Sequence, residues 1–399
     1  MPPPARLIDL TRLVSRLGRG PLTGVDRVEL AYLDALLAGH VPVFGLVRTA
    51  LGFVLLDRAG ADCVAQRAAG TAAMGHADWL GRWTRRRQPA RARAEADLRR
   101  LALARCAGPL LGRMLRRRLP ADTSYLNLGH ANLAARRLAA IKAAGLRIAV
   151  LVHDVIPLDY PQFTRPGISQ VFARKMAAVA AHADLVIHTT EDARNRTARH
   201  FARMGRVPPG VVAPLGVPQP KPDAALIPPG LDMTQPYFVT VGTIEPRKNH
   251  VLLLDVWDRL PQPKPKLYII GARGWANEAV FTRLDGAPPA VQELRNLPDG
   301  AVAALLQGAR ALLFPSLAEG YGLPPIEAMA LGVPVLCAPL TVYHETMGDY
   351  PVYLDPSDSY PWLETIIRLG RTEGKRGARA GGMAIPTWAD HFNRVLSLI

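Results

Sequence analysis

The chain has 399 residues, 49% hydrophobic and 21% charged, which is the composition of a soluble globular protein and more length than one ordinary domain uses. Two domains, each able to bury its own core, are expected. No apolar run approaches the ~20 residues that span a bilayer. The start MPPPARLIDL lacks a basic-then-apolar leader layout, and Cys63, Cys106 and Cys337 are too scattered for a disulfide framework or a metal cluster. A cytoplasmic protein is the expectation. The formal net charge is +16, and most of it sits between Arg82 and Arg118, where 13 arginines face only Glu95 and Asp97. Such a charge suits nucleic acid, a membrane surface or an acidic substrate, or it reflects a compositional bias toward arginine on a solvated face.

In chain order, Arg6–Leu10 reads as a first strand. Gly18-Arg19-Gly20 and Thr23-Gly24 follow, then an amphipathic helix through Val25, Val28, Tyr32, Leu36 and Leu37. A glycine-bearing loop between a first strand and a first helix suits close approach of a phosphate or sugar. Gly20, Thr23 and Gly24 are therefore either ligand contacts or only a turn, since the spacing misses the dinucleotide fingerprint by one residue. Val41–Asp57 suggests one or two strands. The arginine-rich stretch reads as helical from about Ala90, with Leu98, Leu101, Leu110, Leu111, Met114 and Leu115 among the charges.

From Tyr125 strands and helices alternate. Tyr125–Leu128, Arg147–His153, Leu185–Thr189 and Val211–Ala213 are strands; Leu133–Ala144, Phe172–Ala183 and Glu191–Met204 are helices. That alternation argues a parallel, doubly wound sheet. Six prolines between Pro218 and Pro236 mark a linker. A second alternation follows, with strands Tyr237–Val241, Leu267–Ile270, Ala311–Phe314, Val333–Leu336 and Val352–Leu354. Its helices are Val251–Leu260, Ala301–Ala309 and Ile326–Leu331, and Trp388–Leu398 closes the chain. The expected division is 1–217, a linker over 218–236, a second domain over 237–383 and a terminal helix within 384–399.

Two strand-end stretches carry chemistry. After Tyr237–Val241 come Gly242-Thr243 and then Arg247-Lys248, an arginine fork beside a lysine point charge, which suits a diphosphate. After Ala311–Phe314 comes a glycine-punctuated loop, Glu319-Gly320-Tyr321-Gly322-Leu323, with a helix opening at Pro324-Pro325. Backbone N–H groups of Tyr321, Gly322 and Leu323 and the helix start favour an anion. Glu319 on the loop and Glu327 in the first helical turn are carboxylates, acceptors for hydroxyl groups. Phosphate, ribose and hexose together make a nucleotide sugar.

The stretch EGYGLPPIEAMALGVPV, with its two glutamates seven residues apart, resembles the donor-site signature of the retaining GT-B glycosyltransferases of the "group 1" family, often called family 4. GTIEPRKNH resembles the family's second signature and HDVIPLDYP its third. The resemblance implies two Rossmann-like doubly wound domains facing a central cleft, and a retaining hexosyltransferase that attacks from the front face. It implies that Glu327 holds the ribose diol, Glu319 the hydroxyls of the transferred sugar, and Arg247 and Lys248 the departing diphosphate. His153 would orient the sugar, Thr190 would stand for the family's serine beside Glu191, and Gly20, Thr23, Gly24, Gly242 and Thr243 would lie near the donor. With no Asp-x-Asp triplet in the chain, a metal-independent enzyme without cofactor is expected. Relatives that share these motifs make GDP-mannose the first choice of donor, and a saccharide or lipid-linked saccharide the acceptor, in polysaccharide biosynthesis. The 82–118 segment would dock the enzyme peripherally on the anionic inner face of a membrane, with no nucleic-acid partner. A sugar-nucleotide epimerase of the same fold and a basic nucleic-acid-binding protein are the alternatives.

Overall fold

The computed structural model describes residues 3–20, 22–371 and 384–399. The end of the expected second domain, 372–383, lies outside the described residues. The chain forms two compact units, and each has its own sheet.

Unit 1 comprises Met1–Val155, Gln170–Leu215 and Trp388–Ile399. Its strands are β1 (Arg6–Asp9), β2 (Val43–Thr49), β3 (Gly52–Leu56), β4 (Ala102–Cys106), β5 (Ser124–Asn127), β6 (Arg147–Val152), β7 (Leu185–His188) and β8 (Gly210–Val212). They are ordered β4-β3-β2-β1-β5-β6-β7-β8. The six strands β2, β1, β5, β6, β7 and β8 are parallel, while β3 and β4 extend the sheet antiparallel. The central strands β1, β5 and β6 are almost wholly buried; β6 shows it as a continuous apolar run, while β1 and β5 bury polar end residues as well.

The arginine-rich stretch differs from the helical expectation. It contains the helices Trp79–Thr84, Pro89–Arg100 and Leu111–Arg118, but β4 interrupts them as an edge strand. Its irregular apolar period has this cause, because a period-2 strand sits between two period-3.6 helices. Leu98, Leu111, Met114 and Leu115 are core residues, leaving Trp79, Trp83, Leu103 and Leu110 as the exposed large apolar side chains of the segment. Part of its charge is spent internally. Arg85 and Arg91 pair with the buried Glu95 at 2.7 and 3.0 Å, Arg99 with Asp78 at 2.5 Å, and Arg100 with Asp97 at 2.5 Å.

The closing helix, Trp388–Val395, belongs to unit 1 rather than standing apart. His391 Nε2 lies 2.6 Å from the Tyr32 hydroxyl, and Arg6 donates to the carbonyls of Leu396 and Ile399 at 2.9 and 3.0 Å.

Unit 2 comprises Ile156–Ser169 and Gly216–Thr387. Its strands are β9 (Tyr237–Val241), β10 (Lys266–Ile270), β11 (Val291–Leu294), β12 (Leu312–Phe314), β13 (Val335–Cys337) and β14 (Val352–Tyr353), ordered β11-β10-β9-β12-β13-β14 and all parallel. Phe238, Leu253, Trp257, Leu267, Leu313, Trp362 and Ile366 build its core. The proline-rich stretch before β9 packs on this unit, with Asp223 N–H donating to the Gly300 carbonyl at 3.0 Å.

Both sheets reverse their strand order once among the parallel strands. The reversal lies between β1 and β5 in unit 1 and between β9 and β12 in unit 2. Loops leaving the carboxyl ends of such neighbours diverge to opposite faces and leave a crevice, the usual ligand position in open α/β sheets.

Candidate active site

In unit 2 the crevice is lined by the two stretches singled out from the sequence. The loop after β9 carries Arg247 and Lys248, and the loop after β12 carries Glu319. Glu319 Oε1 takes both cations, Arg247 Nη1 at 2.8 Å and Lys248 Nζ at 2.5 Å. Arg247 also donates to the Ala318 carbonyl at 2.9 Å, and Leu317 N–H donates to the Arg247 carbonyl at 2.7 Å, so the two loops are stitched together. Lys248 is buried, with Nζ 4.2 Å from the centre of the Phe314 ring. Burial disfavours the Glu319 carboxylate, yet Arg247 and Lys248 outweigh it and hold its pKa down at about 2.

The cations are not a bare positive pair. Glu245, which the sequence reading passed over, sits 2.7 Å from Arg247 Nε. Two acids therefore balance two cations, and any anion entering the crevice competes with Glu245 and Glu319 for Arg247 and Lys248. Glycine is required at two points. Gly242 follows β9 at φ +146°, and a Cβ there would come within 3.2 Å of the Lys248 Cε. Gly322 sits at φ +87°, where a Cβ would come within 2.7 Å of Tyr343 Cε1. Tyr343 is itself fully buried against Phe314.

The helix beyond Gly322 spans Leu323–Ala330 and starts earlier than Ile326. Glu327 is thus its fifth residue, at the start of the second turn and half-buried, not in the first turn as expected. Pro324 and Pro325 have no N–H, and Ile326 N–H is bonded to the Gly322 carbonyl at 3.4 Å. Donors for an anion must then come from the Tyr321–Leu323 backbone. Thr243 is exposed beside Gly242, in the same strand-end loop.

In unit 1, His153 follows β6. Its Nε2 lies 2.7 Å from the Leu128 carbonyl, and Thr189 Oγ1 reaches the His153 carbonyl at 3.5 Å. A carbonyl only accepts, so Nε2 bears the proton and Nδ1 is left as an acceptor. His130, missed in the sequence, mirrors it: its Nε2 lies 2.9 Å from the Leu151 carbonyl, and the two rings are 5.5 Å apart. Burial depresses both imidazoles, helped by His153 and Arg12, to about 3 for His130 and about 4 for His153. Both are neutral at pH 7, so His153 can accept from a hydroxyl but supplies no positive charge. The signal for His130 was its place directly after a strand; what made it matter was β5 lying next to β6.

The remaining predicted contacts have structural duties or lie elsewhere. A six-residue helix, Thr11–Arg16, separates β1 from the glycine loop and carries it about 9 Å onward. Asp9 and Thr11, rather than Gly20, Thr23 or Gly24, stand at the end of β1. Thr23 and Gly24 are exposed at a helix start, and both the N–H and the hydroxyl of Thr23 donate to Asp26, at 2.9 and 2.6 Å. Thr190 is fully buried, and its hydroxyl accepts from Ala193 N–H at 3.0 Å as the cap of helix Glu191–Arg203.

Two Rossmann-like units with strand-end loops carrying charge define an α/β protein of the GT-B class. Over 97% of this chain and 94% of the other, the fold matches Anabaena HepE in complex with UDP and glucose, with a TM-score of 0.60 and 15% sequence identity. Residues 226–377 match the family model "Glycosyl transferases group 1", and Arg247, Lys248, Glu319 and Glu327 lie inside the matched stretch. Two Escherichia coli relatives are similar in sequence. The serotype-specific mannosyltransferase WbdA is 30% identical over 251 residues, covering 58% of this chain and 31% of that protein. The O-antigen chain mannosyltransferase B is 36% identical over 129 residues, covering 31% of this chain and 34% of that protein. The chain thus spans about a third of the length of these relatives.

Proposed function

We propose that this protein is a glycosyltransferase of polysaccharide biosynthesis, moving a hexose from a nucleoside diphosphate sugar to a saccharide hydroxyl. One observation carries the reading. In the group 1 domain, Arg247, Lys248 and Glu319 converge on the crevice between β9 and β12, cations and a hydroxyl acceptor on one carboxylate oxygen. On donor binding, Arg247 and Lys248 shift from Glu319 toward the diphosphate and stabilise it as it leaves. Glu319, kept ionised, then accepts from hydroxyls of the sugar, and Glu327 accepts from the ribose diol. His153 accepts from a sugar hydroxyl through Nδ1. Transfer proceeds with retention, by front-face attack, and needs no metal because side-chain cations serve the leaving group. GDP-mannose is the first donor to test, since similar proteins are mannosyltransferases. The acceptor is a saccharide, free or lipid-linked.

The test is a turnover screen of GDP-, UDP-, ADP- and dTDP-sugars without added acceptor, paired with thermal melts in the free diphosphates. Hydrolysis of one donor, and a melting shift with its diphosphate that Arg247→Gln removes, are expected. No shift with any nucleoside diphosphate would overturn the reading. Peripheral attachment at the inner face of a membrane belongs to the same proposal. Its support is ten exposed arginines between Arg82 and Arg118, together with exposed Trp79 and Trp83. Among the described residues no helix is long and apolar enough to cross a membrane.

A further inference from the structure

The crevice of unit 1 holds a cavity of about 710 Å³, and the proposed reaction assigns no role to the residues that line it. That size accommodates a small organic ligand rather than a lone ion. The cavity opens where β1 and β5 part. Thr11 comes from the end of β1, Arg48 from β2, and His130 and Asn132 from the loop after β5. Arg137 comes from helix Ala135–Ala143, and Arg174 and Lys175 from helix Ile168–His182.

Its electrostatics are lopsided. Four permanent or near-permanent cations, Arg48, Arg137, Arg174 and Lys175, line one cavity, and none of them has an ion-pair partner among the described residues. Arg137 and Lys175 are half-buried, while Arg48 and Arg174 are exposed at the rim. Burial and mutual repulsion lower the pKa of both half-buried groups: Arg48 acts on Arg137, and Arg12 and Arg48 act on Lys175. The carboxylate that favours Arg137 is Asp9, but Asp9 is buried and already accepts from Tyr125, Asn132 and Thr11 at 2.7, 2.8 and 3.0 Å. The arginine cluster elsewhere in this unit is treated differently, since Glu95, Asp97 and Asp78 sit on it at ion-pair distance. Here the charge is left unanswered.

The cavity also offers a site for a hydroxyl. Asn132 spends its amide N–H groups on Asp9 and Thr11, while its Oδ1 is buried without a hydrogen-bond partner in the structure. Both His130 and Asn132 are held in the left-handed region, at φ 56° and 57°. Such backbone strain in residues other than glycine collects at ligand sites.

We infer that the unit 1 cavity binds a phosphorylated saccharide, its phosphoryl group among Arg48, Arg137, Arg174 and Lys175 and a sugar hydroxyl on Asn132 Oδ1. A single carboxylate would leave most of the positive charge unbalanced, whereas a phosphate or diphosphate brings two or more charges and at least three acceptor oxygens for the arginine forks. On the proposed function, this ligand is the acceptor side of the reaction. The phosphoryl group belongs either to a free sugar phosphate or to the diphosphate that ties a glycan to a lipid.

The test is calorimetric titration of the whole chain with four probes: inorganic phosphate, mannose 1-phosphate, mannose, and a short-chain prenyl diphosphate in detergent. The proteins are wild type, Arg137→Gln/Lys175→Gln, and Arg247→Gln/Lys248→Gln, which removes phosphate binding at the unit 2 site. Wild type and the unit 2 variant should bind at least one phosphorylated probe, with affinity falling as salt rises, and should bind mannose at least tenfold more weakly. The unit 1 variant should lose at least tenfold in affinity for the same probe. Tighter binding of mannose 1-phosphate marks a free sugar phosphate as the source; tighter binding of the prenyl diphosphate marks a lipid carrier. Arg174→Gln, at the exposed rim, gives a threefold loss and covers the case in which the double variant fails to fold. Equal affinity of wild type and unit 1 variants, or no binding of any phosphorylated probe, overturns the inference. Failure of the donor reading is seen separately, as absence of a nucleoside diphosphate shift in wild type.

Discussion

Replacing Glu319 by glutamine keeps the shape of the side chain and removes the charge that holds Arg247 and Lys248. The carboxyl is almost fully buried, and its pKa is held at about 2 against an ordinary 4.5. That depression corresponds to about 3 kcal/mol of stability at pH 7. Breaking a buried pair by removing one partner costs about 3–5 kcal/mol, which agrees in size. The sign follows from the direction of the shift. The stabilisation is complete above the unfolded pKa and is lost as pH falls toward the folded value, with about 2 of those 3 kcal/mol gone by pH 3. Urea unfolding, followed through tryptophan fluorescence from the unit 2 core residues Trp257 and Trp362, reads the difference directly. At pH 7 the variant should be less stable by about 3 kcal/mol, and the gap should narrow to about 1 kcal/mol at pH 3. Turnover should fall by roughly one to two orders of magnitude, since a charge-assisted hydrogen bond to the sugar contributes about 1.5–3 kcal/mol. A gap below 1 kcal/mol at pH 7, or one that does not change with pH, would refute the argument that this carboxylate organises the two cations.

Gly322→Ala should lower stability by about 1–3 kcal/mol, through a left-handed backbone and overlap with Tyr343, and should weaken nucleoside diphosphate protection in a thermal melt. His130 and His153 have folded pKa values of about 3 and 4, below the ordinary 6.5, so stability is lost as pH falls from about 6.5 toward 4. His153→Asn should flatten that decline and cost turnover without moving a pH–rate inflection near neutrality. Activity should survive EDTA; loss on chelation, restored by Mn²⁺ or Mg²⁺, would overturn the cationic leaving-group mechanism. The protein should co-sediment with phosphatidylglycerol vesicles at low salt, and replacing Arg86, Arg87, Arg116, Arg117 and Arg118, all exposed, by serine should release it. Equal sedimentation of both proteins would leave the charge as a solvated face.

Local order reached the sequence directly. The strand–helix alternation from Tyr125 onward was legible because a buried parallel strand needs an unbroken apolar run and a surface helix needs an apolar stripe at period 3.6. For the same reason the edge strand Ala102–Cys106 was lost, since it alternates between half-buried and exposed residues without an unbroken apolar run, and its neighbours in sequence are helices. The residues of the unit 2 crevice were legible because Arg247-Lys248 and Glu319–Gly322 are contiguous motifs that follow strands. Their pairing was not, because Glu319 and Lys248 lie far apart in the chain and meet only where β12 is inserted beside β9. Glu327 shows the limit of counting: a helix start earlier by three residues moved it from the first turn to the second. Thr23 and Thr190 had the right chemistry for ligands, but the structure spends their hydroxyls on Asp26 and on a helix cap, a choice made by local geometry rather than residue type. The unit 1 cavity was invisible in the sequence. Arg48, Arg137, Arg174 and Lys175 come from one strand and two helices, with no motif to join them, and only the strand order β2-β1-β5-β6 brings their charge together around one space.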